Sequence, residues 1–364
     1  MADRAHHRRF SADSWIRRLT LIGLLLCVVL VPFGAYVRLT AAGLGCPDWP
    51  GCYGHFSPIG ASRNAELAAQ FPDKPLDVGK AWREMTHRYI ASTVGFIILL
   101  IAALAIASGP RRIVGMGYSL ALLATVIFQG VLGMFTVTWR LKPLIVTMHL
   151  LFGLITLGML WWLWLTLRRS ASRGPVSRPM IAYLNESRTG TRSAQVTQRV
   201  VIIGLLALGV QIALGGWTSS NYAAVACPDF PTCQNEWWPN MDYEDAFVLW
   251  RGLGMNYEGG VLDHPARVAI HFTHRLGALF ASALLIFAAY TALKAGSLRS
   301  ARPAAVAVLI ALGLQLTIGI SMVLLGFPLW LATAHNLGAA LLVLSSLALY
   351  HAVRVPSRPA FSGA

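Results

Sequence analysis

Four histidines lie in or at the edge of long apolar stretches, where an ionisable side chain is costly and marks a binding site or proton path. They are His87, His149, His274 and His335. The second two follow the first two at spacings of 187 and 186 residues, so one arrangement occurs twice in the chain. A single histidine in a membrane often only hydrogen-bonds across helices, but four in repeated positions predict a ligand-binding role.

The residue types around these histidines narrow the choice of ligand. Zinc and copper sites usually include cysteine or carboxylate ligands, and the apolar stretches have no acidic residue in their interiors. Two imidazoles on separate helices suit the two axial positions of a heme iron, so we expect one such pair in each half of the chain. The adjacent Arg88 and Arg275 are candidates for contacts with heme propionates, with snorkelling to the membrane surface as the alternative.

One carboxylate breaks the repeat. The segment Glu84-Met-Thr-His-Arg88 returns as His271-Phe-Thr-His-Arg275, so Glu84 corresponds to a histidine in the second copy. Glu84 precedes His87 by three residues, and residues i and i+3 share one face of a helix. We therefore predict that Glu84 is a catalytic carboxylate beside the ligand of His87. The alternative is an exposed acid at a helix N-terminus, stabilised by the helix dipole.

Two cysteine pairs also follow the repeat. The sequence Cys46-Pro-Asp-Trp-Pro-Gly-Cys52 returns as Cys227-Pro-Asp-Phe-Pro-Thr-Cys233. Both pairs lie in long segments between apolar stretches, which we place on the outer side of the membrane, an oxidising compartment in bacteria. We expect a disulfide within each segment, and a metal site with thiolate ligands is the alternative. Cys27 lies alone in an apolar stretch and is interpreted as a packing residue.

The composition is that of a membrane protein. Hydrophobic residues make up 56% of the 364 residues and charged residues 12%, and a helix that spans a bilayer needs about 20 apolar residues. We predict an all-α membrane protein with eight transmembrane helices. Their predicted ranges are 19–38, 87–107, 115–138, 144–167, 199–217, 268–292, 303–325 and 329–351.

The internal repeat divides the chain into two units of four helices each. We expect an N-terminal half over 1–167, a cytoplasmic linker over 168–198 and a C-terminal half over 199–364. Because four is an even number, both halves have the same orientation in the membrane. They are therefore expected to form two four-helix bundles related by a pseudo-twofold axis along the membrane normal.

The net charge of +15 is distributed unevenly along the chain. With the N-terminus in the cytoplasm, the inner segments hold 19 Lys and Arg, while the outer segments and helix entrances hold 11. An excess of positive residues in cytoplasmic loops predicts that both termini face the cytoplasm. We interpret the basic charge as a topology signal and do not expect nucleic-acid binding.

In combination, these features resemble the heme A synthase family over nearly the whole chain. The resemblance is carried by the two cysteine motifs, Glu84-x-x-His-Arg, the four histidines and the 4+4 repeat, and segment 251–275 resembles the proteobacterial branch. It implies an enzyme that oxidises the C8 methyl group of heme O to a formyl group in two successive steps. The product of this family, heme A, serves terminal oxidases.

The resemblance also implies roles for residues and partners. His274 and His335 would hold a heme b cofactor, while His87 and His149 would hold the substrate heme O beside Glu84. Heme O synthase, oxidase assembly factors and the lipids of the bacterial inner membrane are the expected partners, and a homo-oligomer is left open. Two other interpretations remain, a two-heme membrane cytochrome that only carries electrons and a membrane thiol oxidoreductase.

Overall fold

A computed structural model describes residues 2–63, 66, 69–72, 74–108, 114–171 and 180–354. Within these residues the chain is helical and has no β-strand beyond two isolated bridges, Cys52 with His55 and Cys233 with Glu236. Eight of the described helices are long and apolar enough to cross a membrane. The prediction of an all-α membrane protein with eight transmembrane helices is confirmed.

The eight long helices are numbered in chain order. They are α1 (Ala2–Leu39), α2 (Val78–Ala107), α3 (Met116–Thr138), α4 (Pro143–Ala171), α5 (Met180–Ser220), α6 (His264–Lys294), α7 (Arg302–Leu324) and α8 (Leu329–Val353). Short α-helices occupy Pro58–Arg63 and Tyr243–Ala246, and 3₁₀ helices occupy Ala224–Ala226 and Gly296–Ala301. The two long loops with the cysteines lie between α1 and α2 and between α5 and α6, and we call the end of the molecule that carries them the loop end.

Helices α2 and α6 begin well before the apolar runs that predict them. The Asp77 carboxylate caps α2 by accepting a 3.0 Å hydrogen bond from the backbone N–H of Lys80, and this bond lowers the pKa of Asp77. Pro265 lies in the first turn of α6, where its fixed φ suits a helix start. His87 and His274 therefore lie more than two turns inside their helices, whereas the predicted range 87–107 begins at His87 itself.

The long helices pack as two groups. Helices α1 to α4 contact one another in a ring, because each touches its neighbours in sequence and α4 also touches α1. Helices α5 to α8 form a second ring of the same kind. Each group encloses its own cluster of buried apolar side chains, with Ile98 and Leu157 in the first and Leu285 and Val308 in the second. This packing supports two four-helix bundles, whose relation by a pseudo-twofold axis stays a prediction.

The two groups meet through α1, α4, α5 and α8. At the loop end, the Arg38 guanidinium donates a 3.0 Å hydrogen bond to the hydroxyl of Ser219, which follows it by 181 residues. The two cysteine motifs have the same spacing, so Arg38 contacts its own counterpart in the second copy. Further along the interface, Nε1 of Trp161 donates to the carbonyl of Leu344 at 2.8 Å.

Much of the predicted cytoplasmic linker, residues 168–198, is helical. Helix α5 begins at Met180, and its candidate membrane span runs Ala194–Ser220. A helix already formed in the membrane extends readily into water, because each added residue gains one backbone hydrogen bond without a new nucleation step. The remaining part of the predicted linker includes residues 172–179, which lie outside the described residues.

Candidate functional site

Each of the four predicted ligand histidines packs its imidazole against a glycine of the neighbouring helix. A Cβ added to these glycines would lie 2.8 to 3.3 Å from Cε1 of the ring, a distance at which real Cβ atoms are rarely found. The missing side chain therefore lets each ring approach the backbone of the adjacent helix. The pairs are Gly34 with His87, Gly133 with His149, Gly215 with His274 and Gly319 with His335.

The structure brings the histidines together as two pairs. His87 and His149 in the first group are close enough to interact electrostatically, and so are His274 and His335 in the second group. Among the described residues, no cluster of three or more His, Cys, Asp and Glu side chains could hold a metal ion. Two imidazoles from separate helices fit the axial positions of a heme iron, so the residues present suit one heme in each group.

Glutamines contact the imidazoles of the second pair. Nε2 of Gln211 lies 3.0 Å from Nδ1 of His274, and Nε2 of Gln315 lies 3.1 Å from Nε2 of His335. Ligand histidines usually make a hydrogen bond through their second ring nitrogen, and this bond fixes the orientation of the ring. Gln211 is placed to orient His274 in this way.

The first pair lacks such contacts to its rings. Gln129 donates instead to the backbone carbonyl of His149 at 2.9 Å, and Leu30 takes the place that corresponds to Gln211. The Nδ1 atoms of His87 and His149 are buried without a hydrogen-bond partner, and so is Nδ1 of His335, but no glutamine of the described chain contacts either ring of the first pair. The side chains around the first pair therefore constrain its imidazoles less than those around the second pair.

Glu84 is buried at the loop end of the first group. It lies one turn from His87 on α2, and only 4% of its surface is exposed. Its Oε1 accepts a 2.5 Å hydrogen bond from the guanidinium of Arg88, and its Oε2 accepts one of 2.9 Å from the backbone N–H of Cys46. Burial and these two partners exclude the alternative of a solvent-exposed acid at a helix terminus.

His271 occupies the corresponding place in the second group and is equally buried. The backbone N–H of Cys227 lies 3.4 Å from its Nδ1, and Nε of Arg275 lies 3.3 Å from its Nε2. A neutral imidazole accepts a hydrogen bond at only one nitrogen, so His271 accepts from only one of these two donors. The Glu84 carboxylate accepts from both of its own donors, Arg88 and the N–H of Cys46. The second group therefore keeps the same surroundings without a negative charge.

Each cysteine pair forms a disulfide inside its own loop, as predicted, and the bonds are Cys46–Cys52 and Cys227–Cys233. The aspartate of the motif organises the loop, since the Asp48 carboxylate accepts from the backbone N–H groups of Tyr53 and Gly54 at 2.6 and 2.9 Å. Asp229 does the same in the second loop. Burial acts to raise the pKa of Asp229, but hydrogen bonds from the Thr232 hydroxyl and the backbone outweigh it and lower the pKa.

Arg88 and Arg275 connect these loops to the helices. Arg88 donates to the backbone carbonyls of Asp48 and Gly51 at 3.0 and 2.6 Å. Arg275 donates in the same way to the carbonyls of Cys227 and Thr232 at 2.9 and 2.7 Å. Both guanidinium groups thus hold a disulfide loop against α2 or α6, and their contact with propionates stays a prediction.

The glycines and glutamines of the site were not predicted from the sequence. For all of them except Gln211, the spacing contains the signal, because they recur in the second copy at the spacings of the histidines or the cysteines. The recurring residues are Gly34 and Gly215, Gly133 and Gly319, and Gln129 and Gln315.

Comparison with known proteins places this site in a family. A sequence model of the family COX15-CtaA, cytochrome oxidase assembly protein, matches residues 17–347. The chain belongs to the COX15-CtaA family. Its match includes both disulfide loops, Glu84 and all four histidines.

Proteins named heme A synthase are similar to this COX15-CtaA member over most of its length. That of Shewanella oneidensis is 39% identical over 335 residues, which cover 91% of this chain and 94% of that protein. The heme A synthase of Paracoccus denitrificans is 30% identical over 378 residues, which cover 95% of this chain and 90% of that protein. The heme A synthase of Erythrobacter litoralis is 29% identical over 353 residues, which cover 90% of this chain and 94% of that protein. The predicted resemblance to the heme A synthase family is confirmed.

Proposed function

We propose that this protein is a heme A synthase, an oxidoreductase that converts the C8 methyl group of heme O to a formyl group in two successive steps. Relatives with that name cover most of the chain. The observation that carries the proposal is the buried Glu84 beside His87. A cytochrome that only carries electrons needs no such carboxylate, and it needs no difference between Glu84 and His271.

The two histidine pairs have different roles in this proposal. His87 and His149 bind the substrate heme O next to Glu84, and His274 and His335 hold a heme b cofactor. When bound, heme b supplies electron transfer between the substrate and an external acceptor. The contact of Gln211 with His274 at 3.0 Å supports a retained cofactor in the second group, because oriented ligands bind more tightly.

Glu84 provides a fixed negative charge at the reacting methyl group. Arg88 and the N–H of Cys46 hold its two carboxylate oxygens, so the charge is in place before the reaction begins. A carboxylate held in this way stabilises positive charge that develops at the methyl carbon, or it accepts a proton from that carbon. The neutral His271 cannot provide this charge in the second group.

The substitution Glu84→Gln tests the proposal, because it keeps the size of the side chain and removes its charge. We expect heme binding to persist while heme A formation falls by about 100-fold or more, the usual contribution of a positioned acid–base group. Heme O or its hydroxylated intermediate should accumulate. Chromatography of hemes extracted from cells that make heme O measures all three species.

Glu258→Gln is the matched control. Glu258 also forms an ion pair at the loop end, with Lys74, but its side chain is 28% exposed, and we expect normal heme A formation in this variant. Near-normal heme A formation by Glu84→Gln would remove Glu84 from catalysis and favour the electron-carrying cytochrome. Loss of both hemes would show that Glu84 has only a structural role.

The proposal includes the surroundings of the enzyme. We place it in the bacterial inner membrane with both termini in the cytoplasm, in agreement with the distribution of Lys and Arg. The loop end then faces the outer side, where disulfides persist. Heme O synthase, which makes the substrate, and oxidase assembly factors, which use the product, are the proposed partners.

A further inference from the structure

A loop of the second group closes over the first group at the loop end. Lys142 precedes α4 in the first group and is only 2% exposed. Its Nζ lies 3.1 Å from the ring centroid of Trp250 and donates a hydrogen bond to the carbonyl of Gly252. The backbone N–H of Tyr257 donates to the carbonyl of Arg140 at 3.2 Å. These contacts bring together residues more than 100 positions apart in the chain.

Two polar groups at this junction have unused hydrogen-bonding capacity. The described residues form three ion pairs, and Lys142 belongs to none of them. An ammonium group has three donors, and one of these donates to Gly252. The Tyr257 hydroxyl is buried without a hydrogen-bond partner, which is uncommon for a buried tyrosine. Both side chains line one small cavity, which has room for about one water molecule and is partly open to solvent.

The chemistry of this cavity suits a carboxylate. A carboxylate accepts hydrogen bonds from both an ammonium and a phenol, and it supplies the negative charge that Lys142 lacks. Burial lowers the pKa of Lys142, and a bound anion would oppose that effect. Arg251 lines the same cavity and adds a second positive charge, which is shared with Asp245 through a 2.6 Å ion pair.

The position of Lys142 relative to His149 identifies a source for this carboxylate. Lys142 precedes His149 by seven residues, a rise of about 10 Å and nearly two full turns of a helix. Because α4 begins at Pro143, Lys142 lies directly before it, about two turns from His149 along the helix axis and closer to the loop end. The corresponding position in the second copy is Pro328, so the second group has no cation there.

We propose that Lys142 and Tyr257 form a subsite that binds one propionate of the substrate heme held in the first group. This inference rests on the proposed function, because it takes heme O as the ligand of His87 and His149. It assigns the recognition of heme carboxylates in the first group to a junction between the two groups. Arg88, the residue predicted for this task, holds the disulfide loop in the structure.

The proposal is tested by comparing heme O with heme O in which both propionates are methyl esters. Equilibrium binding to the full-length protein is measured by absorbance in wild type, Lys142→Met, Tyr257→Phe and the control Lys74→Met. We expect wild type and Lys74→Met to bind the free acid about 10-fold or more tightly than the ester, as for a hydrogen bond to a charged group. Lys142→Met and Tyr257→Phe should reduce this ratio by about fivefold or more.

Tyr257→Phe makes the test independent of folding, because it removes only a hydroxyl that has no partner in the structure. An unchanged ratio of affinities in Tyr257→Phe and Lys142→Met would overturn the proposal. Equal affinities of acid and ester in wild type, together with weaker heme O binding in added acetate, would also overturn it and assign the cavity to a free anion. Heme O binding that survives His87→Ala and His149→Ala would instead contradict the proposed function, independently of the ester comparison.

Discussion

At the scale of single residues, the two histidine pairs differ more than their repeated sequences suggest. Gln211 contacts the ring of His274, but Leu30 stands at the corresponding position of the first copy. The first pair has the carboxylate of Glu84 nearby, where the second group has an imidazole. A pair with an oriented ring suits a cofactor that stays bound. A pair with freer rings and a negative charge suits a substrate that reacts and leaves.

The first prediction at this scale concerns Gln211→Leu, which gives the second group the residue that the first group has. Removing the partner of a ligand histidine typically lowers affinity by about 10- to 100-fold, so we expect heme b to be lost on dilution and washing. Heme content per protein measures the effect. Gln129→Leu should retain heme b because Gln129 contacts no ring nitrogen, and His274→Ala should lose it completely. Equal retention by Gln211→Leu and wild type would contradict the orienting role.

At the scale of helices, glycines set the separation between partners in each bundle. The glycine on the odd-numbered helix and the histidine on the even-numbered helix face each other in all four sequential pairs. The helices approach closely there because no side chain intervenes, as small residues allow in membrane helices generally. The position of each imidazole is thus determined by a helix pair as well as by its own helix.

Gly215→Ala should displace His274 and weaken the heme b site. The new Cβ would lie 3.0 Å from the ring, and overpacking of this kind costs about 1–3 kcal/mol. Gly209→Ala on the same helix is the control, because nothing lies within 4 Å of its Cβ and alanine has the higher helix propensity. We expect reduced heme b and a lower melting temperature for Gly215→Ala alone. Full heme b content in Gly215→Ala would show that the ring adapts without loss.

The two disulfide loops are expected to affect different steps, because each contacts a different residue of its own group. The first loop places the N–H of Cys46 on Glu84, and the second places that of Cys227 near His271. Opening a small disulfide ring costs about 2 kcal/mol of loop stability. We expect the double substitution Cys46→Ser and Cys52→Ser to lower heme A formation strongly while heme b is retained. The matched substitution Cys227→Ser and Cys233→Ser should reduce heme b content first. Equal effects of the two would contradict separate roles for the loops.

At the scale of the whole molecule, contacts of the long loops join the two groups at the loop end. The ion pair between Lys74 and Glu258 at 2.7 Å links the two long loops, and Lys142 and Tyr257 link the second loop to the first group. An exposed ion pair contributes less than about 1 kcal/mol, so the buried contacts of Lys142 account for more of this association. The opposite end carries the start of α1 and the end of α8.

The orientation of the molecule can be tested by labelling introduced cysteines in intact cells. Met255 is exposed in the second long loop, whereas Arg168 lies near the end of α4 that is far from the loop end. A thiol reagent that does not cross membranes should label Met255→Cys directly and Arg168→Cys only after permeabilisation. Cys27, the free cysteine of the described chain, is buried and should give little background. Labelling in the reverse order would refute cytoplasmic termini.

The sequence by itself determined the eight helices, the two histidine pairs, the disulfides and the family. These features depend on local properties, namely the length of apolar runs and the spacing of repeated motifs. The starts of α2 and α6 were predicted too late, because apolar runs mark only the part of a helix inside the bilayer. Asp77 and Pro265 begin the helices in the polar region beyond it.

Only the tertiary structure decided which groups meet around the predicted residues. Glu84 is paired with Arg88 and bonded to Cys46, Gln211 is placed against His274, and Tyr257 is brought to the cavity that Lys142 lines. Except for the pair of Glu84 and Arg88 on one helix, these contacts join residues far apart in sequence, and they form because helix packing fixes the distance between backbones. Sequence spacing shows that the two copies correspond, but the packing of side chains between helices makes the two groups different.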